Sequence, residues 1–182
     1  MNKNVMKSAA FVLAASAIFF STGCGGEAGS SMATPKKKLS VAVEASYAPF
    51  EYKDEDGHII GFDVDLMKAV AQKMDAEAEF NNLPFEQIFH FVGDKKIQLG
   101  ISAIGATEER KKHVSFSDPY YSLGSYVIVV RPGTEGIHGP NDLKGKIVAA
   151  ERGSTNEVKA KELSPARTVL PDYYKNVFKV VE

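Results

Sequence analysis

Cysteine is nearly absent from this chain. The single one, Cys24, has no second thiol to bridge to, so no intramolecular disulfide staples the fold. A surplus of positive charge is also missing. The 22 Lys and Arg are balanced by 23 Asp and Glu, whereas a nucleic-acid partner calls for a basic face. Beyond Phe20 no stretch is long and apolar enough to cross a bilayer. The four histidines, His58, His90, His113 and His138, are scattered and fall in no catalytic or metal signature. Ser102 therefore lacks the partners of a nucleophile. Its spacing also fails, because Gly100-Ile-Ser102-Ala-Ile-Gly105 is one residue longer than the Gly-x-Ser-x-Gly elbow. The acidic "DEDG" at 54–57 lacks the oxygen series and closing Glu of a calcium loop. No metal and no cofactor is expected.

What the chain does have begins at its N-terminus. Lys3 and Lys7 precede the apolar run "AAFVLAASAIFF", and "STGCGG" follows it. A basic start, a short apolar core and a small-residue exit describe an export signal, too short for a stable membrane helix. Thr22-Gly23-Cys24 resembles a bacterial lipobox, with Ser21 where that motif usually has Leu. The resemblance implies a lipoprotein-type signal over residues 1–23 and lipidation of Cys24. Residues 24–38, "CGGEAGSSMATPKKK", show no apolar periodicity and read as a flexible linker.

From Leu39 the pattern is that of alternating strands and helices. Strands are expected at Leu39–Glu44, Ala76–Leu83, Ile97–Ile101, Tyr126–Val130 and Lys146–Ala150. Glu51–Phe62 reads as strand, Asp56-Gly57 turn, strand. Helices are expected from Val64 to Met74 with Asp63 as cap, from Phe85 to Val92, and from about Asn156. Tyr173, Tyr174, Val177, Phe178 and Val181 have the spacing of an amphipathic helix. Such alternation predicts a largely parallel α/β sheet. The turn-rich stretch from Arg131 to Gly139 suggests a boundary between a first lobe, 39–130, and a second lobe, 131–182, that looks incomplete.

Thr107 is a good N-cap and Glu108 and Glu109 suit the start of a helix, but Arg110 opposes its dipole. A guanidinium in that place either holds a carboxylate bidentately or makes a surface salt bridge with a neighbouring glutamate.

Four stretches occur in order: "VAVEASYAPFEY", "GHIIGFDVDLMKAVAQKM", "GISAIGATEERKKHVSFSDPYY" and "LKGKIVAAERGSTNEVKA". Together they resemble the extracytoplasmic amino-acid-binding proteins of ABC importers, the type II solute-binding proteins of the polar amino-acid family. The resemblance runs from about Leu39 onward. It implies a two-lobed α/β fold of the periplasmic-binding-protein type, a non-enzymatic receptor, a small amino acid as ligand and an ABC permease as partner. It implies an extracytoplasmic, lipid-anchored location.

Residue by residue, the resemblance gives Arg110 the ligand α-carboxylate, with the Gly105 N–H beside it. It gives the Ala103 carbonyl the ligand ammonium and makes Ser102 a lining residue. Thr155 and Asn156 would add donors from the second lobe. Tyr47 and Phe85 would sandwich the ligand side chain, and Glu44 would meet its distal polar group, favouring a polar or basic amino acid. Two other readings stand beside this one. The first is an enzyme on the same scaffold, a dehydratase of cyclic acids using Glu44. The second is a truncated lipoprotein that binds nothing.

Overall fold

The computed structural model describes residues 36–181. The expected leader, Cys24 and most of the linker lie outside the described residues. In chain order the elements are β1 (Lys37–Val43), β2 (Ser46–Tyr47), β3 (Glu51–Lys53), β4 (Ile59–Ile60), α1 (Phe62–Lys73), β5 (Ala76–Asn82), α2 (Phe85–Gly93), β6 (Leu99–Gly100), α3 (Glu108–Lys111), β7 (Val148–Ala149), α4 (Thr155–Leu163), β8 (Thr168–Val169) and α5 (Phe178–Val181). Short 3-10 turns at Pro140–Leu143, Pro165–Arg167 and Tyr174–Asn176 lie between them.

β1 is the centre of a parallel sheet ordered β5-β1-β6. It pairs with β5 in register from Lys37 against Ala76 to Val43 against Asn82. β6 joins its other edge, Val41 against Leu99 and Ala42 against Gly100. Parallel strands are covered on both faces, so both sets of side chains on β1 must be apolar. Leu39 and Val41 pack with Met67 and Ala71 of α1. Ala42, one position on and therefore on the opposite face, packs with Phe85 and Ile88 of α2. Burying residues of this kind contributes roughly 1.5–3 kcal/mol each. An antiparallel sheet, β2-β3-β4, and a two-stranded parallel pair, β7-β8, complete the pattern.

The expected helices and most of the expected strands form, with three corrections. Asp63 does not cap α1. Gly61 occupies the N-cap, and Asp63 lies inside the first turn, wholly buried. Its carboxylate is used elsewhere, as described below. Tyr126–Val130 forms no strand and is exposed, Val127 to 81%. The run has strong β propensity, but propensity reflects packing on a pleated surface, and no described strand lies beside it to pair with. The C-terminal amphipathic stretch is broken into the 3-10 turn Tyr174–Asn176 and the four-residue α5. No described helix is long and apolar enough to cross a membrane.

Gly61 sets the entry to α1. Its φ is 128°, and a Cβ there would lie 2.3 Å from the Phe50 carbonyl oxygen. Gly61→Ala should therefore lose at least roughly 2 kcal/mol of stability. Urea unfolding followed by circular dichroism will measure it, and an unchanged midpoint would contradict this entry geometry.

Candidate functional site

Parallel strands leave their carboxyl ends without ladder partners, and the chain satisfies those ends with side chains. The Glu44 N–H donates to Ser102 Oγ (3.0 Å), and Ser102 Oγ donates to Glu51 Oε1 (3.1 Å). The Ala45 N–H donates to Asn82 Oδ1 (2.7 Å). The Ala103 N–H donates to Asp63 Oδ2 (2.7 Å), which also accepts from the Tyr120 hydroxyl (2.8 Å). Ala103 has φ 45°, a left-handed conformation that is uncommon for a residue with a side chain. Asp63 holds it there, which is why this acid sits in the helix rather than at its cap.

The loop that follows leads to Arg110. The Thr107 hydroxyl caps α3 by accepting the Arg110 N–H (3.2 Å). The neighbouring glutamates are occupied with lysines: Glu108 with Lys111 (2.8 Å) and Glu109 with Lys112 (2.5 Å). Arg110 makes no ion pair with any described residue, so the salt-bridge alternative does not hold. Its guanidinium lies 4.5 Å from the Phe89 ring centre and 5.2 Å from that of Phe85. Nη1 donates to the Gly105 carbonyl (2.7 Å) and Nη2 to the Gly153 carbonyl (2.9 Å). Burial lowers its pKa. A half-buried cation with only neutral partners is a natural seat for an anion.

Gly153 belongs to the turn before α4. A Cβ there would lie 2.8 Å from the Glu86 Cβ, so the turn packs directly on α2. Ser154 caps α4, accepting the Glu157 N–H (3.2 Å). Thr155 and Asn156 open that helix, and first-turn N–H groups have no intrahelical carbonyl to meet.

All nine residues singled out from the sequence (Glu44, Tyr47, Phe85, Ser102, Ala103, Gly105, Arg110, Thr155 and Asn156) line one open cavity of about 1360 Å³. No histidine lies among its described lining residues. Within it the roles differ in detail from the expectation. The Ser102 hydroxyl is fully engaged. Gly105 offers its carbonyl to Arg110. Phe85 is buried in the core beneath the guanidinium. Tyr47 stacks on Phe50 (5.6 Å) and meets the edge of Tyr174 (4.5 Å).

Three acids were missed as contributors to this region: Glu51, Asp63 and Glu151. Glu51 is 1% exposed, and burial together with the Asp63 charge pushes its pKa up to about 10. Glu51 Oε2 and Asp63 Oδ1 have no other described partner, and a proton on Glu51 would join them. Glu151 is pushed up to about 8, first by burial and then by the Glu44 charge, while burial also raises Glu44. A sequence signal existed for Glu151. The sequence reads Val41-Ala-Val-Glu44 through the end of β1 and Val148-Ala-Ala-Glu151 through the end of β7, so an acid follows each strand. The exposed hairpin turn brings ligand atoms of Asp54, Asp56 and His58 within 4.8 Å of one another. Asp54 is already bonded to the His58 N–H (2.8 Å).

Residues 39–178 match the family of bacterial extracellular solute-binding proteins, family 3. The chain belongs to that family. It is 41% identical over 160 residues to the arginine-binding extracellular protein ArtP of Bacillus subtilis, covering 88% of this chain and 62% of that one. It is 36% identical over 147 residues to an ABC transporter arginine-binding protein of Escherichia coli, covering 80% and 59%. Among solved structures, an ancestral arginine-binding protein bound to glutamine superposes with a TM-score of 0.76 at 38% identity, covering 81% of this chain and 66% of that one. The expected α/β fold of the periplasmic-binding-protein type is thus confirmed. The chain spans about three fifths of the length of the curated relatives it matches.

The raised carboxyls have a consequence for stability. Glu51 keeps its proton in the folded state, while the unfolded chain releases it near 4.5. The stability it contributes is fully present below that value and declines as pH rises toward 10. Glu44 and Glu151 act in the same direction. In Glu51→Gln the amide can replace the acid proton opposite Asp63. Between pH 5 and 8 the variant should lose less stability than the wild type, by at least about 1 kcal/mol. Denaturant titrations at the two pH values will test this, and equal losses would contradict a protonated Glu51.

Proposed function

We propose that this chain is an extracytoplasmic receptor that binds a polar or basic amino acid and passes it to the permease of an ABC importer. The observation that carries the reading is Arg110. Its guanidinium is fixed over two rings, paired with no described acid, and placed between the loop after β6 and the start of α4. An α-carboxylate there would replace carbonyl contacts with charge-assisted ones. The N–H groups of Gly105, Thr155 and Asn156 would complete the clamp, and the Ala103 carbonyl would accept from the ligand ammonium. Tyr47 and Phe85 form apolar walls beside Ser102, and Glu44 meets the far end of the ligand.

Several relatives named for arginine support a basic ligand. We read the chain as a binder rather than an enzyme. One structural neighbour, a precursor of cyclohexadienyl dehydratase, is itself an ancestral amino acid-binding protein. Residues 1–23 act, in this proposal, as a lipoprotein signal. Cys24 becomes the lipid anchor, residues 24–38 the tether, and residues 39–130 and 131–182 the contributions to two lobes.

Calorimetry with arginine, lysine, histidine and glutamine tests the reading. Arg110→Ala should weaken every ligand by about 100-fold or more, because each loses its carboxylate partner. Glu44→Gln should weaken the basic ligands more than glutamine. Wild-type affinity in Arg110→Ala would overturn the clamp, and equal effects across the panel would remove Glu44 from side-chain recognition.

A further inference from the structure

Glu44 and Glu151 close the ends of two different parallel strands, one after β1 and one after β7. They are 1% and 7% exposed, yet both line the cavity. Each carboxyl acts on the ionisation of the other, which places the two side by side in the cavity wall. Glu44 Oε1 also accepts from the Ser46 hydroxyl (2.6 Å). Glu151 Oε1 has no partner among the described residues.

The chain supplies little charge to balance this pair. Arg152, next to Glu151, turns away to Asp172 (2.8 Å) and the Leu170 carbonyl (2.9 Å). Lys175 is a cation that acts on Glu44, but it is exposed and its Nζ lies 5.7 Å over the Tyr173 ring. The remaining titratable neighbours are Glu51, which keeps its proton, and Tyr47 and Tyr174, whose pKa values are raised by burial; all three stay neutral. Two buried carboxylates this close do not both ionise unless a cation joins them.

We propose that Glu44 and Glu151 together form a two-carboxylate subsite for the cationic end of the ligand, a guanidinium or ammonium, which takes the place of a proton that the two carboxyls otherwise share. This rests on reading the cavity as an amino-acid site. A guanidinium presents several donors in one plane and can serve an oxygen of each acid, including the unpartnered Oε1. The proton is released to solvent as the cation enters. A neutral amide can donate hydrogen bonds to the pair but displaces no proton.

Calorimetry on the full chain, with arginine and glutamine as probes in buffers of different ionisation enthalpy, tests the proposal. Arginine binding at pH 7 should release close to one proton, and its affinity should rise by up to about tenfold per pH unit between pH 6 and 8. Glutamine should do neither. Glu151→Gln should abolish the release and weaken arginine by about tenfold or more, and weaken it more than it weakens glutamine. The wild-type proton count needs no variant and stands even if Glu151→Gln folds poorly. Arginine binding without proton release would overturn the subsite and leave the receptor reading intact. Failure of arginine, lysine, histidine and glutamine all to bind would overturn both.

Discussion

Backbone hydrogen bonding runs out at the carboxyl ends of β5, β1 and β6, and the cleft depends on how that shortfall is met. Every buried N–H there needs an acceptor. The chain supplies them from Ser102, Asn82 and Asp63, each reaching from another segment. Ser102 then leans on Glu51, and Asp63 also takes the Tyr120 hydroxyl. The loop that carries Ala103 and leads to Arg110 is thereby tied to β1, β3 and α1 at once. Its left-handed residue is held by a buried carboxylate rather than by local turn chemistry.

That polar scaffold concentrates four acids, Glu44, Glu51, Asp63 and Glu151, behind a cleft that also holds a half-buried arginine. Burial works in opposite directions on the two kinds of group. It lowers Arg110 and raises the glutamates. An amino acid carries both signs of charge, and a cleft divided in this way can offer each end a partner of the opposite sign.

Much of the fold was legible before any coordinates. β1, α1, α2 and α4 declare themselves through periodicity and through Gly or Ser at their ends. The nine residues that the family resemblance marks do come to one cavity. What was not legible has a common physical origin. Asp63 before an apolar helix looks like a cap, and only tertiary contact with Ala103 gives its carboxylate another use. Glu151 beside Arg152 looks like a solvated pair, yet the two side chains part, one to Asp172 and one into the cavity. Tyr126–Val130 has the composition of a strand, but a strand exists only when a neighbour supplies its hydrogen bonds. In each case the deciding partner lies far away in sequence.

The turn between β7 and α4 brings two kinds of recognition within three residues. Glu151 faces the cleft with a side chain, while Gly153 meets Arg110 with a backbone carbonyl. A side chain can be exchanged by one codon, whereas a carbonyl is the same for every residue. The packing of Gly153 against Glu86 further fixes where that carbonyl sits. In the proposed receptor, ligand preference at one end of the cleft is therefore free to drift in evolution without disturbing the other end, and a single short turn can yield receptors that share one grip and differ in what they carry.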